Sequence, residues 1–243
     1  MEEVCDTYAK AGERLKNEGI HTISIDEKPG MQALERAAPT LPMKPGLIEA
    51  QEFEYIRHGT LCLTANLEVA TGEIVSPTVA ATRNEQDFAD HIEQTVKKDP
   101  QAGWIFTCDN LTTHASATLV LLVATMLGIS VELLGQKEKS GVLKSVATRK
   151  AFLSDPSHRI RFLYLPKHTS WLNQIELWFS CLSRRLLRRG SFRSKEDLKA
   201  QVLAHIDYHN RLKAKPYKWT YTGKKRVRSR AKPRPRGRPF RTG

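Results

Sequence analysis

The sequence predicts an α/β fold in which a mixed sheet carries helices on its faces. Three observations predict it. The early segments alternate apolar and polar residues with period two and include a hairpin. From residue 84 onward, helical and strand patterns take turns, the arrangement that places helices over a partly parallel sheet. Hydrophobic residues make up 40% and charged residues 27% of 243, enough for one sizeable buried core.

Taken in order, residues 1–20 mix charges and read as a short helical lead-in. His21 to Asp26 (HTISID) alternates and is β-rich, a strand that ends on Asp26. Lys28 to Gly46 carries Pro29, Pro39, Pro42 and Pro45 and reads as a loop or an excursion from the domain. Thr60 to Glu68 sets Leu61, Leu63, Ala65 and Leu67 on one face, a half-buried strand, and Thr71-Gly72 turns the chain into a partner near Glu73 to Val79. Asn84 can cap a helix whose Phe88, Ile92 and Val96 fall at helical spacing, closed by Pro100. Trp104 to Cys108 is a short buried strand that runs into Asp109, with Cys108 directed into the core as a small hydrophobe. Thr113 or His114 opens an apolar helix to Leu127, and Gly128 suits the left-handed residue after it.

Gln136 to Arg149 is polar and lysine-rich and reads as an inserted loop. Ile160 to Leu165 is a strand stopped by Pro166. A helix beginning at Asn173 is marked by the apolar stripe Leu172, Ile175, Phe179, Leu182 and Leu186. The last helix opens at Ser194, with Asp197 three residues on, and runs to about His209 with Leu198, Val202 and Ile206 inward. The chain therefore divides into a lead-in (1–20), a body (21–222) with an insertion near 136–149, and a tail (223–243).

Several function classes drop out. No apolar run reaches the roughly 18 residues that span a bilayer, so no membrane partner is expected. The N-terminus has neither the basic nor the apolar region of a secretory signal, and a cytoplasmic protein is expected. Cys5, Cys62, Cys108 and Cys181 lie far apart, which argues against a disulfide scaffold or a zinc site. His58, His114, His168 and His209 match no zinc spacing either. The charge is more informative. Of a net +13, ten positive charges sit in the Pro/Gly/Arg-rich tail, which contains no acid and reads as disordered. Arg184, Arg185, Arg188 and Arg189 form a second basic stripe, with Arg193 and Lys195 after it. A polyanion, nucleic acid first, is the natural partner; a solvated basic face is the other reading.

Three acids stand at element ends: Asp26, Asp109 and Glu176. In an α/β sheet such ends converge on one crevice. Carboxylates gathered there call for a counter-charge, and hard divalent cations, Mg2+ above all, provide it in phosphodiester chemistry. Each acid also has a plainer reading. Asp26 fits a strand-end turn, Asp109-Asn110 an Asx turn, and Glu176 the third position of a capping box with Asn173.

The strings SIDEKPGMQALER, YIRHGT, TCDNLTTH, PKHTSWLNQIELWFS, RRLLRRGSF and AKPYKWTYTGK resemble the catalytic domain of DDE transposases, and more narrowly the bacterial insertion-sequence transposases allied to the mariner-like superfamily. The similarity covers roughly residues 5–225. It implies a ribonuclease H-like fold, in agreement with the element order, and an enzyme that hydrolyses phosphodiesters at element ends and transfers strands into target DNA. It implies Asp26, Asp109 and Glu176 as the metal-binding catalytic triad, holding Mg2+ with Mn2+ as a substitute. Asn110 and His114 match the family's DN-x-x-x-H element, and Asn173 its SWLN element, as site support. Lys167, His168 and Trp171, with Arg184, Arg185, Arg188 and Arg189, are the candidate DNA contacts; Trp171 could instead cover the core. The resemblance further implies double-stranded DNA as partner, TA-containing targets, a homodimer in the synaptic complex, and a place at the bacterial nucleoid. Two departures stand out. The 67 positions between Asp109 and Glu176 exceed the family's usual spacing, which the 136–149 insertion explains. The family's N-terminal helix-turn-helix region is expected to be missing. A truncated remnant that only binds DNA, and a host-type nuclease of the same fold, stay open beside the active enzyme.

Overall fold

Five strands form a single sheet in the order β3-β2-β1-β4-β5. The computed structural model describes residues 1–38, 41–50 and 54–224, and in it the strands are β1 (Ile20–Arg36), β2 (Tyr55–Glu68), β3 (Ile74–Ala80), β4 (Gly103–Cys108) and β5 (Ile160–Tyr164). β1, β2 and β3 run antiparallel, while β4 and β5 run parallel to β1. Antiparallel neighbours need only turns, whereas parallel ones need crossovers. Helix α3 (Glu85–Val96) supplies the crossover from β3 to β4. Helices α4 (Ala117–Leu127) and α5 (Val146–Leu153) supply the one from β4 to β5. This is the mixed sheet with helices on its faces that the element order predicts, and it agrees with the fold that the resemblance implies.

Each face of the sheet has its own core. Ile23, Ile25, Trp104, Phe106 and Phe162 pack beneath Phe88 and Ile92 of α3 and Val120 and Val123 of α4. On the other face Leu63, Ala65 and Leu67 meet α6 (Ile175–Leu182) through Ile175 and Phe179. There they also meet α7 (Lys195–Leu212) through Leu198, Val202 and Ile206. The period-two and period-3.6 patterns of the sequence therefore point where they should. Asn84 caps α3 with a complete capping box to Asp87, and Gly128, at φ +72°, ends α4.

The structure corrects several boundaries. β1 does not stop at Asp26 but continues through Lys28 to Arg36, paired with Tyr55 to Thr60 of a longer β2. Pro29 and Gly30 sit where the pairing register shifts between Lys28 and Met31, so a bulge absorbs the missing N–H, and Met31 and Ala33 are buried beyond it. The 112–115 segment is a 3-10 turn, and Ser116, not Thr113 or His114, caps α4. The 136–149 segment is not all loop. Ser145 caps α5, and buried Arg149 donates from Nε to Ala115 O (2.7 Å) and from Nη1 to Leu143 O (3.1 Å), tying the segment to the turn that follows β4. Asn173 does not cap α6; Gln174 occupies that position without a side-chain cap. After Leu182 the helix widens into a π turn over Ser183–Leu187, which lets both Leu186 and Leu187 pack toward the α7 core.

The lead-in is α1 (Glu2–Ala9) and α2 (Ala11–Glu18). It belongs to the body, because Val4, Cys5 and Tyr8 are buried against Val69, Leu165 and Leu172. Trp219, on the strap that follows α7, meets the Tyr8 ring edge-on at 5.5 Å. Among the described residues no helix is long and apolar enough to cross a membrane. From residue 225 on, the basic tail lies outside the described residues.

The strap crosses the β2–β3 turn at Gly72, whose φ is +78° and where an added Cβ would stand 2.0 Å from Lys215 O. Gly72→Ala should therefore lower stability by about 1–3 kcal/mol, through strain and displacement of the strap. In thermal unfolding this reads as roughly 2–4 °C per kcal/mol; an unchanged Tm would mean that the strap does not bear on this turn.

Candidate active site

Parallel pairing of β1 with β4 matches Ser24 to Thr107. Asp26, inside β1, and Asp109, the residue after β4, each lie two positions beyond that pair, so the register sets them side by side on neighbouring chains, which are about 4.8 Å apart in a sheet. Glu176 is exposed in the first turn of α6. The three expected acids lie near enough for the charges of Asp109 and Glu176 to act on Asp26. Asp26 accepts from Glu27 N at 2.8 Å through Oδ1 and from Asn173 Nδ2 at 3.0 Å through Oδ2. Its pKa is nevertheless pushed up to about 7. Burial does most of this, the Glu27 N–H opposes it, and the charges of Asp109, Glu27 and Glu176 add to it.

Asp109 has the opposite environment. His114 beside it is the main reason that its pKa is lowered; burial works against this, and Leu111 N and Lys150 help. Its Oδ1 accepts from Leu111 N at 2.8 Å, so the Asx turn read in the sequence is present as well. His114 is buried, with Nδ1 2.8 Å from Asp109 Oδ1 and Nε2 3.2 Å from both carboxylate oxygens of Glu27. The Nδ1 hydrogen is not aimed along the line to Asp109, so that contact is an ion pair rather than a straight hydrogen bond. Burial alone would lower the His114 pKa. Asp109, Cys108 and Glu27 outweigh it and push the pKa up to about 12, so the ring is a cation clamped between two acids. The Phe88 ring at 4.3 Å and the Tyr164 hydroxyl, which donates to His114 O at 2.8 Å, fix it in place.

Asn110 is held from both sides. Its amide donates to Leu165 O and accepts from Lys150 Nζ, and Lys150 also lies 4.5 Å over the Tyr164 ring. Asn173 is buried and turned toward β1, not toward its own helix. Lys167 and His168 are exposed on the loop between β5 and α6, where His168 adopts a left-handed φ of +61°. Trp171 is 52% exposed and meets Tyr221 of the strap edge-on at 5.0 Å; Leu172 beside it is the core residue, so Trp171 does not cover the core. Arg184, Arg185, Arg188 and Arg189 are exposed on and after the π turn.

Sequence reasoning missed Glu27, Ser24, Tyr8 and Lys150. The Asp-Glu pair at the end of HTISIDE was a visible signal for Glu27; the other three reach the site only through tertiary contacts. The oxygen donors suit a hard divalent ion in kind. Among the described residues, no group of three or more His, Cys, Asp or Glu is gathered closely enough to enclose one as it stands.

The model of the DDE superfamily endonuclease family matches residues 21–199, and the chain belongs to that family, whose members use divalent metals. Among solved structures, the chain is similar to a pre-cleavage Mos1 transpososome (13% identity, 85% of this chain and 55% of that chain, TM-score 0.46). It is also similar to the Mos1 strand transfer complex (13%, 85% and 54%, TM-score 0.45) and to the Mos1 mariner paired end complex with Mn (16%, 86% and 62%, TM-score 0.31). The chain spans little more than half the length of the first of these. No curated protein matches it.

Proposed function

We propose that this chain is the catalytic domain of a DNA transposase, and that Asp26, Asp109 and Glu176 hold its divalent ions, Mg2+ by preference and Mn2+ as a substitute. The observation that carries this reading is the parallel register that sets Asp26, inside β1, beside Asp109, just past β4, with the charge of Glu176 acting on Asp26. Bound ions of this kind make water nucleophilic at neutral pH and stabilise a leaving oxygen. Hydrolysis joins a water oxygen to phosphorus and breaks the P–O3′ bond, leaving a 3′-OH on the element end. That hydroxyl then displaces an O3′ from phosphorus in target DNA. The chain's part is positioning. His114 and Leu111 N hold Asp109 through Oδ1, and Asn173 fixes Asp26 through Oδ2. Lys167, His168, Trp171 and the arginine stripe flank α6 and would take duplex DNA, with Trp171 offering a stacking face. Two copies would join two ends.

Incubating the protein with labelled duplex in Mg2+ should give strand cleavage that EDTA stops; binding without any cleavage would favour an unproductive DNA-binding chain.

The Asp26 carboxyl gives a pH prediction. Its folded pKa, about 7, lies above its ordinary value of 3.8, so the fold favours the protonated form. Metal-free stability therefore falls as pH rises from about 4 through 7. A metal ion must displace that proton. Mn2+ should bind about tenfold more weakly at pH 6 than at pH 8, since a pKa of 7 leaves roughly a tenth of the group ionised at pH 6. Titration of the free-Mn2+ electron paramagnetic resonance signal reads this directly; equal affinities would mean that Asp26 is not a ligand.

A further inference from the structure

Thr22, Ser24 and Asp26 share one face of β1, the face covered by α1 and the start of α6. Ser24 and Asn173 are both fully buried. The Ser24 hydroxyl donates to Asn173 Oδ1 and accepts from Ile175 N at 3.0 Å. With Oδ1 thus engaged, both Nδ2 hydrogens of Asn173 point the other way, to Ile25 O and to Asp26 Oδ2, each at 3.0 Å. The flipped amide would set Oδ1 against a carbonyl and a carboxylate, so the hydroxyl and the strand end together permit one orientation. The second bond matters equally. Ile175 is the first residue of α6 and Glu176 the next, so the same hydroxyl pins the turn that carries the third acid. Behind it, Tyr8 OH donates to Thr107 Oγ1 at 3.0 Å and Thr107 Oγ1 donates to Ile23 O at 2.9 Å, which closes the network toward α1.

We propose that Ser24 is a positioning residue for the metal site: one buried hydroxyl orients Asp26 through the Asn173 amide and sets the place of Glu176 through Ile175 N. Ser24 touches neither DNA nor metal and acts only through its neighbours. The inference rests on the metal-binding reading of Asp26 and Glu176. Groups that orient metal ligands typically change metal affinity by about 10–100-fold when removed.

The test titrates Mn2+ into the full chain, following the free-ion electron paramagnetic resonance signal, with thermal unfolding run on the same samples. Ser24→Ala should bind Mn2+ about 10–100-fold more weakly. Asn173→Ala should do the same, and Ser24→Ala with Asn173→Ala should fall short of the product of the two, because the two residues share the route through the amide. A merely structural serine would lower Tm and leave the Mn2+ affinity of the folded protein unchanged. Ser24→Cys keeps nearly the same volume with a poor hydrogen-bonding group and replaces the alanine variant if that one does not fold. Parental Mn2+ affinity in whichever Ser24 variant folds, or fully multiplicative losses, overturns the proposal. Asp26→Asn in the same titration separates the two levels. If it binds Mn2+ as the parent does, the metal reading itself fails; if it loses Mn2+ while Ser24 variants keep it, only the positioning role fails.

Discussion

Asp109→Asn should reduce Mg2+-dependent cleavage of duplex DNA by at least about 10³-fold, because a bound metal contributes several kcal/mol of transition-state stabilisation. The substitution has two effects, and they can be told apart. The introduced amide oxygen can still accept from Leu111 N, so the Asx turn persists. The neutral amide can no longer balance the His114 cation, which then has only Glu27. A loss of about 1–3 kcal/mol in stability should therefore accompany the loss of cleavage. Glu176→Gln is the cleaner partner experiment. Glu176 is exposed, and the capping-box role that its sequence position suggests is closed to it, because Asn173 spends its side chain on Ser24, Ile25 and Asp26. Its change should abolish cleavage and leave stability within about 0.5 kcal/mol of the parent. A Glu176→Gln protein that cleaves at the parental rate would remove Glu176 from the site; one that unfolds early would restore the capping role.

The acids of the site mark what a sequence can disclose. Asp109 was legible because it follows a short apolar strand, and Asp26 because HTISID alternates locally although β1 runs on past it; parallel pairing then places the two side by side. Asn173 was singled out through the family resemblance, and its action was not legible. An Asn three residues before a Glu looks like a cap, and only the packing of α6 against β1 turns its amide inward. The long hairpin went unread because Pro29-Gly30 signals a loop, while in three dimensions a bulge accommodates both and the strand resumes. Lysines and Gly141 made 136–149 look like an insertion on the surface. Within it Arg149 is buried and bonded to Ala115 O and Leu143 O, and Lys150, one residue beyond, reaches Asn110 beside Asp109. Composition averages over such a stretch, and the one buried guanidinium has no local signature. Ser24 and Tyr8 look like ordinary members of a strand and a helix; their hydroxyls acquire meaning from partners 149 and 99 positions away.

Replacing Arg184, Arg185, Arg188 and Arg189 together by Gln should weaken duplex binding by about 10³-fold near 0.15 M salt. In a plot of log affinity against log salt, the slope should fall by about 3.6, which is 0.9 for each of four phosphate contacts. Near 0.15 M salt that slope is worth roughly fivefold per contact, which gives the total. The four side chains are exposed, and among the described residues none is in a salt bridge. Their removal should therefore leave stability within about 0.5 kcal/mol, and any lost binding is not lost folding. The loss should be uniform across unrelated duplexes. Phosphate contacts carry no base information, and the first turn of α6 is committed to Asn173, Ser24 and Glu176, so this helix cannot lie in a major groove as a reading helix. An unchanged salt slope would make the stripe a solvated face. A loss confined to one duplex sequence would mean that these arginines reach base edges, and the geometry assigned to the mouth of the site would have to be redrawn around them.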